Sequence, residues 1–207
     1  MEILINNRIT LLFSVILISF SLFSQSDDAI RDALKRSYDA EYQLKYNKAA
    51  EELLGVYIPT SYELNLRLGW LSYKSNKNLE SVTYYKRAIQ KMPMSIEAKL
   101  GIVYPLAALE KWDDVVKQYQ TILKIDQYHA TANYRLALIY YNRLDYISAW
   151  KYIHRYINLY PFDYDGNSLA GWIKYNVGKK EEACVFFKKA LMVNPYDVSF
   201  NKVLGIK

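Results

Sequence analysis

The chain has 207 residues, 52% hydrophobic and 23% charged, which excludes a disordered tail and gives enough length for one domain with a sizeable core. Seven glycines and five prolines are too few for a loop-rich all-β design and favour helices. The formal charge of +6 is scattered, with no run longer than a pair such as Lys179-Lys180 or Lys188-Lys189, so it reads as a solvated basic surface and no nucleic-acid partner is expected.

The first element in chain order is a leader. Met1 to Arg8 ends in a cation, Ile9 to Phe23 (ITLLFSVILISFSLF) is free of charge, and SQSDDA follows. A basic start, a short apolar middle and a small residue at the cut are the layout of a secretory signal peptide, here residues 1–24, with Gln25 leading the mature chain. The apolar run is shorter than the roughly 20 residues that a spanning helix needs. The expected location is therefore outside the cytoplasm: periplasmic, with a secreted form or an uncleaved membrane anchor as alternatives. Cys184 is the single cysteine, so no internal disulfide can form.

Residues 25–207 are expected to form one domain built on a period of 34. Stepping by that interval from Gly69 gives Val103, Ala137, Gly171 and Gly205, all small or fairly small. The residues before them are apolar: Leu68, Ile102, Leu136, Ala170 and Leu204. Further along, the same step yields Ser81, Val115, Ala149 and Ala183, and then Tyr85, Tyr119, Ile153 and Phe187. Ile89, Leu123, Ile157 and Leu191 come next, and Pro93, Gln127, Pro161 and Pro195 close the unit. Leu136 to Tyr140 carries one apolar helical face, a turn falls near Leu144-Asp145, and Ala149, Ile153 and Ile157 form a second stripe. Each unit thus reads as two helices, stopped by the proline. The small residues let the two backbones approach while an aromatic fills the space beside them.

In chain order the units run over about 30–61, 62–95, 96–129, 130–163 and 164–197, with a cap at 198–207. The opening unit is irregular: Tyr46, Ala49 and Leu53 fit a second helix, but the connection to the next unit is about two residues short. Cys184 shares a column with Val82, Val116 and Trp150, which favours an inert core residue over a reactive thiol.

The Leu-Gly or Leu-Ala pair, Tyr140, the Tyr146-to-Ala149 spacing, the closing aromatic and the proline resemble the tetratricopeptide repeat. RLALIYYNRLDYISAWKYIHRYINLYP is the best copy and GWIKYNVGKKEEACVFFKKALMVNP the second. Asn78, where an aromatic is usual, and Gln127 in place of proline make residues 62–95 and 96–129 weaker copies. The resemblance implies an all-α, right-handed α-solenoid of antiparallel helix pairs, about five units plus a C-terminal capping helix. It also implies a concave surface lined by the first helix of each pair. On that helix Leu136, Ala137 and Tyr140 should face the partner helix, with Tyr146 also in the core. Tyr134, Arg135, Leu138, Tyr141 and Asn142 should face the hollow.

The matching positions in the other units complete a candidate groove: Arg67, Trp70, Tyr73 and Lys74; Tyr104; and Trp172, Tyr175 and Asn176. Rings with a polar tip suit a surface that is wet when empty and dry when filled, and aromatics with Arg are the types enriched in binding hot spots. Arg67, Lys74 and Arg135 are cationic donors, while Asn142 and Asn176 can bond an extended backbone. Some members of the family hold a partner's terminal carboxylate with a Lys/Asn clamp. Trp70, Tyr104, Leu138 and Trp172 stand where that asparagine is needed, which argues against a clamp of that kind.

No enzyme constellation accompanies these features, and no cofactor or metal is expected. His129 falls in a connection between units and His154 on a second helix, neither with a Cys or His at ligand spacing. Asp113-Asp114 and Glu181-Glu182 diverge on a helix and sit where carboxylates favour the dipole of a helix start. The expectation is a non-enzymatic exported adaptor or scaffold that binds a peptide or protein segment. A cell-wall glycan-binding module and an accessory subunit of an envelope complex are the alternatives. Oligomeric state, partner identity and occupancy of the groove by the chain's own termini are left open by the sequence.

Overall fold

A computed structural model describes residues 27–205; the proposed leader, residues 1–24, lies outside them. Helix α1 covers 27–42. It is followed by α2 (Tyr46–Leu54), α3 (Tyr62–Lys74), α4 (Asn78–Lys91), α5 (Ile96–Ala108) and α6 (Trp112–Ile125). Then come α7 (Ala130–Asn142), α8 (Tyr146–Leu159), α9 (Tyr164–Asn176), α10 (Lys180–Val193) and the short α11 (Asn201–Leu204). Consecutive helices pair as hairpins, α3 with α4 through α9 with α10, and no strand occurs among the described residues. The chain divides at a repeat boundary into two compact units, one ending at Pro93 and the other starting at Met94.

Three positions per repeat explain why the hairpins form where they do. The first is the helix start. Ser61, Ser95, His129 and Asp163, 34 residues apart, cap α3, α5, α7 and α9 by accepting from the backbone N–H three residues on, at 3.2, 3.0, 3.3 and 2.7 Å. His129, which sequence alone places in a connection, is thus a helix cap through Nδ1.

The second is a buried asparagine four residues after the cap. Asn65, Asn133 and Asn167 each donate two amide hydrogen bonds, to the carbonyls six and four residues back, at 2.6 to 3.1 Å. The receiving carbonyls include those of Pro59, Gln127 and Pro161, so the asparagine ties the incoming connection to the new helix. Lys99 occupies this position in the third repeat; it is buried, and desolvation holds its ammonium below its ordinary pKa of 10.5.

The third is the turn inside each hairpin. Leu44, Asn76, Glu110, Leu144 and Gly178 all adopt positive φ, between 57° and 79°. The residue after each returns a 2.8 to 3.0 Å bond to the carbonyl five residues back, for example Asp145 to Tyr140, which closes the exposed end of the first helix. From Asn76 onward these turns are 34 residues apart, but Leu44 precedes Asn76 by 32, which places the irregularity of the opening repeat.

The small and large columns interlock as their spacing suggests. A Cβ added to Gly69 would lie 2.9 Å from the Tyr85 ring, and one at Gly171 would lie 2.4 Å from Phe187 Cε1. The Ser81 hydroxyl donates to the Gly69 carbonyl at 2.6 Å, a further sign of close backbones. Tyr140 and Tyr146, expected in the core, are half-buried: Tyr140 stacks on Tyr152 with centroids 5.7 Å apart, and Tyr146 lies 5.7 Å from Tyr141. Cys184 is also half-buried, its thiol 4.0 Å from the Val203 carbonyl, because only the short α11 covers this end.

The closing core contains Phe187 and Phe200, stacked with centroids 4.5 Å apart, and Tyr164 reaches from α9 to bond Asp197 just before α11. That bond, first among the causes, pushes the Tyr164 phenol up to about 12, and it lowers Asp197 below its ordinary 3.8. Burial, followed by the charge of Asp163, likewise pushes Tyr156 up to about 12. In an unfolded chain both phenols titrate near 10. Their stabilisation is complete below that pH and is lost as the pH rises from 10 through about 12. Urea midpoints measured across that window should fall for the native chain and fall less steeply for Tyr164→Phe. Equal slopes would disprove the linkage.

Candidate partner-binding faces

The first unit assembles its part of the predicted surface from α1 and α3. Because the opening repeat is two residues short, Tyr38 aligns with Trp70, Glu41 with Tyr73 and Tyr42 with Lys74. The two oxygens of Glu41 accept from Arg67 Nη2 at 2.5 Å and from Trp70 Nε1 at 2.6 Å. The Arg67 guanidinium lies 4.1 Å over the Tyr38 ring, and Lys74 Nζ sits 5.1 and 5.4 Å from the Tyr46 and Trp70 rings. Trp70 and Tyr73 are neighbours, with centroids 6.0 Å apart.

Arg67 and Trp70, read from the sequence as donors for a partner, therefore also hold α3 against α1. Charge-assisted bonds of this kind are about twice as strong as neutral ones, so both side chains are preorganised. The rings left in solvent are Tyr38 and Tyr42, 52% and 92% exposed. A uniform step of 34 passes over both, and over Glu41; a step of 32 across the short connection finds them.

In the second unit the same stripe falls on α5, α7 and α9. Tyr104 is 54% exposed, and Arg135 and Asn142 are exposed as well. Tyr119 is raised above its ordinary 10.0 by burial, with the Arg135 charge lowering and the Tyr104 phenol raising it. Leu138 and Tyr141 are half-buried. Asn176 Nδ2 donates to Tyr141 Oη at 3.3 Å and to the Trp172 carbonyl at 2.8 Å, joining α7 to α9. Burial raises the Tyr141 phenol above 10.0.

Three of the expected groove residues are engaged elsewhere. Trp172 and Tyr175 pack into the closing core: Trp172 is 4.9 Å from Phe187 and 6.0 Å from Phe200, and Tyr175 is 5.8 Å from Trp172. The cause is Phe200, which takes a column otherwise held by Leu64, Ala98, Ala132 and Gly166 and brings a ring over the last first-helix. Tyr134 packs on Tyr156 with centroids 5.2 Å apart, and Tyr156 in turn lies against Gly166, where an added Cβ would come within 2.8 Å of the ring.

The first unit thus offers exposed phenols beside a fixed guanidinium and indole, and the second an exposed phenol, a guanidinium and amide groups on its first helices. Among the described residues no group of three or more His, Cys, Asp or Glu side chains is placed to hold a metal ion. No helix among them is long and apolar enough to cross a membrane.

No family model matches the sequence. No curated protein matches it. Solved structures do. A tetratricopeptide repeat protein from Parabacteroides merdae ATCC 43184 is 18% identical, with a TM-score of 0.74 over 86% of this chain and 71% of that one. Two crystal structures of MamA are similar as well. One is 17% identical, with a TM-score of 0.72 over 84% of this chain and 98% of that one. The other is 19% identical, with a TM-score of 0.69 over 77% and 94%. At these identities the likeness speaks for architecture, and it agrees with the 34-residue columns, the capped first helices and the left-handed turns: the chain has the tetratricopeptide-repeat fold.

Proposed function

We propose that this protein is an exported, non-enzymatic interaction scaffold that binds a peptide or protein segment through the exposed rings and donors of its first helices. The observation that carries the reading is the presence of exposed tyrosines on helices that also carry a fixed guanidinium and indole. Tyr38 lies under the Arg67 guanidinium, Lys74 sits over Trp70, Tyr42 stands exposed on the same helix as Tyr38, and Tyr104 and Arg135 are exposed on α5 and α7. Such amphipathic rings lose little conformational freedom on binding and contribute both apolar area and a hydrogen bond. Export is supported by the leader-like residues 1–24, and the mature chain is expected to begin at Gln25.

The test uses side chains that do not support the core. A crosslinking pull-down from the cell envelope should compare the native chain with a Tyr42→Ala/Tyr104→Ala/Arg135→Ala variant. The variant should fold with the same helical content and lose its crosslinked proteins by about tenfold, as expected when two or three hot-spot side chains are truncated. Recovery of the same proteins at equal yield sinks the reading. An intact leader on chain isolated from the envelope sinks the export and cleavage part alone.

A further inference from the structure

The second unit holds a cleft of about 420 Å³ between α8 and α10 and over part of α9. Its walls include Trp150, His154 and Asn158 from α8 and Glu182, Phe186 and Lys189 from α10. The volume lies in the range of small-ligand pockets.

Two features set this cleft apart from the other repeats. Trp150 stands in the column occupied elsewhere by Val82, Val116 and Cys184, so one repeat carries an indole where the others carry a small side chain. Lys174 stands in the column of Ser72, Leu106 and Tyr140, which faces the partner helix. Its side chain is only 10% exposed, yet it bears a charge. The ammonium lies 3.5 Å from the Trp150 ring centroid and pairs with Glu182 at 2.7 Å. Burying a lysine at a packing position costs stability unless it is compensated, and here the compensation is an aromatic face and a carboxylate at the rim of a cleft.

The remaining polar atoms have a definite sense. Asn158 Nδ2 lies 3.2 Å from His154 Nδ1, and the tautomer in which Nδ1 accepts this bond leaves Nε2–H as a donor. Lys189 holds its ammonium 5.9 Å from the Phe186 ring centroid. Glu182 is already engaged by Lys174 and by Lys179 at 2.9 Å, and the bond to Lys174, then that to Lys179, holds it below its ordinary pKa of 4.5. The charged side chains of the cleft wall are Lys189 and Glu182, and because Lys174 and Lys179 already pair with Glu182, the Lys189 ammonium is the wall's cation for an incoming anion, beside two aromatic rings. His154 and Phe186 meet Trp150 edge-on, with centroids 5.3 and 5.8 Å away, so the cleft has an aromatic wall.

We infer that this cleft binds a small aromatic carboxylate, its ring against Trp150 and Phe186 and its oxygens on Lys189 and His154. A free aromatic acid and the C-terminal aromatic residue of a peptide present the same chemistry. The ligand-contacting side chains of this site stand on second helices, and none of them belongs to the first-helix surface proposed for partners.

The test follows the imidazole C–H proton signals of the full chain, in which His154 is distinguished from His129 by a His129→Asn control. The probes are 3-phenylpropionate, the peptide acetyl-Gly-Gly-Gly-Phe, and the amide of each. Both acids, or one of them, should shift the His154 signal at millimolar concentration, with the matching amide at least about tenfold weaker. Lys189→Gln and Trp150→Val should each weaken the acid by about fivefold or more. Lys189 is exposed, so its variant keeps the test valid should Trp150→Val disturb the fold. Tighter binding of the free acid assigns a small-molecule site, and tighter binding of the peptide assigns a chain terminus. Equal binding of acid and amide, no shift with either acid up to about 10 mM, or indifference to Lys189→Gln overturns the inference.

Discussion

Phe187→Ala is expected to lower the unfolding free energy by about 3–5 kcal/mol, the range for truncating a buried aromatic ring. Phe187 is fully buried, stacks on Phe200, touches Trp172 and fills the space left by the missing side chain of Gly171. Few neighbours can collapse into the hole, because Phe200 and Trp172 are held by each other as well. Gly171 supplies the complementary experiment. In the native background Gly171→Ala drives a methyl to within 2.4 Å of the ring, and the overpacking should outweigh the roughly 1 kcal/mol gain in helix propensity. In the Phe187→Ala background the same change should become stabilising. Urea denaturation of the four proteins measures the coupling directly, and purely additive effects would refute the close-approach account.

Asn167→Leu is the second large effect, expected at about 2 kcal/mol, the range for leaving a buried carbonyl unsatisfied. The amide of Asn167 donates to the carbonyls of Pro161 and Asp163. The Asp163 carbonyl keeps a backbone bond from Asn167 N at 3.2 Å, so the Pro161 carbonyl carries most of the loss. Asn167→Asp should cost at least as much, since the carboxylate cannot donate to either oxygen. Hydrogen exchange should localise the damage to the connection between α8 and α9. Unchanged protection there would count against a clamp.

The repeat architecture was legible because its signal is geometric and redundant. Columns such as Gly69–Gly171 and Tyr85–Phe187 recur at a fixed step and complement one another in size. The buried asparagines were visible in principle, since Asn65, Asn133 and Asn167 hold the same step, but a polar side chain among apolar neighbours does not announce itself as core. The candidate surface was less legible, for two reasons. The short opening repeat moved Tyr38, Glu41 and Tyr42 out of register, hiding the carboxylate that binds Arg67 and Trp70. At the other end, Trp172 and Tyr175 hold the right helical position, yet Phe200 draws them into the closing core. Periodicity fixes the face on which a ring stands; what lies beyond the last repeat decides whether it meets solvent.

The hairpin turns leave unspent thermal tolerance in this molecule. Leu44, Glu110 and Leu144 hold positive φ that a side chain disfavours, whereas Gly178 occupies the equivalent bend without that penalty. Leu144 is exposed, so Leu144→Gly should raise the melting temperature, with a net gain of about 0.5–1 kcal/mol once the extra freedom of the unfolded glycine is subtracted. Calorimetry of this variant and of its combination with Leu44→Gly would check it, and an unchanged or lower melting point would show the bends to be relaxed. A fold with such slack can accept costly side chains elsewhere, the buried Lys174 among them, without forfeiting its shape.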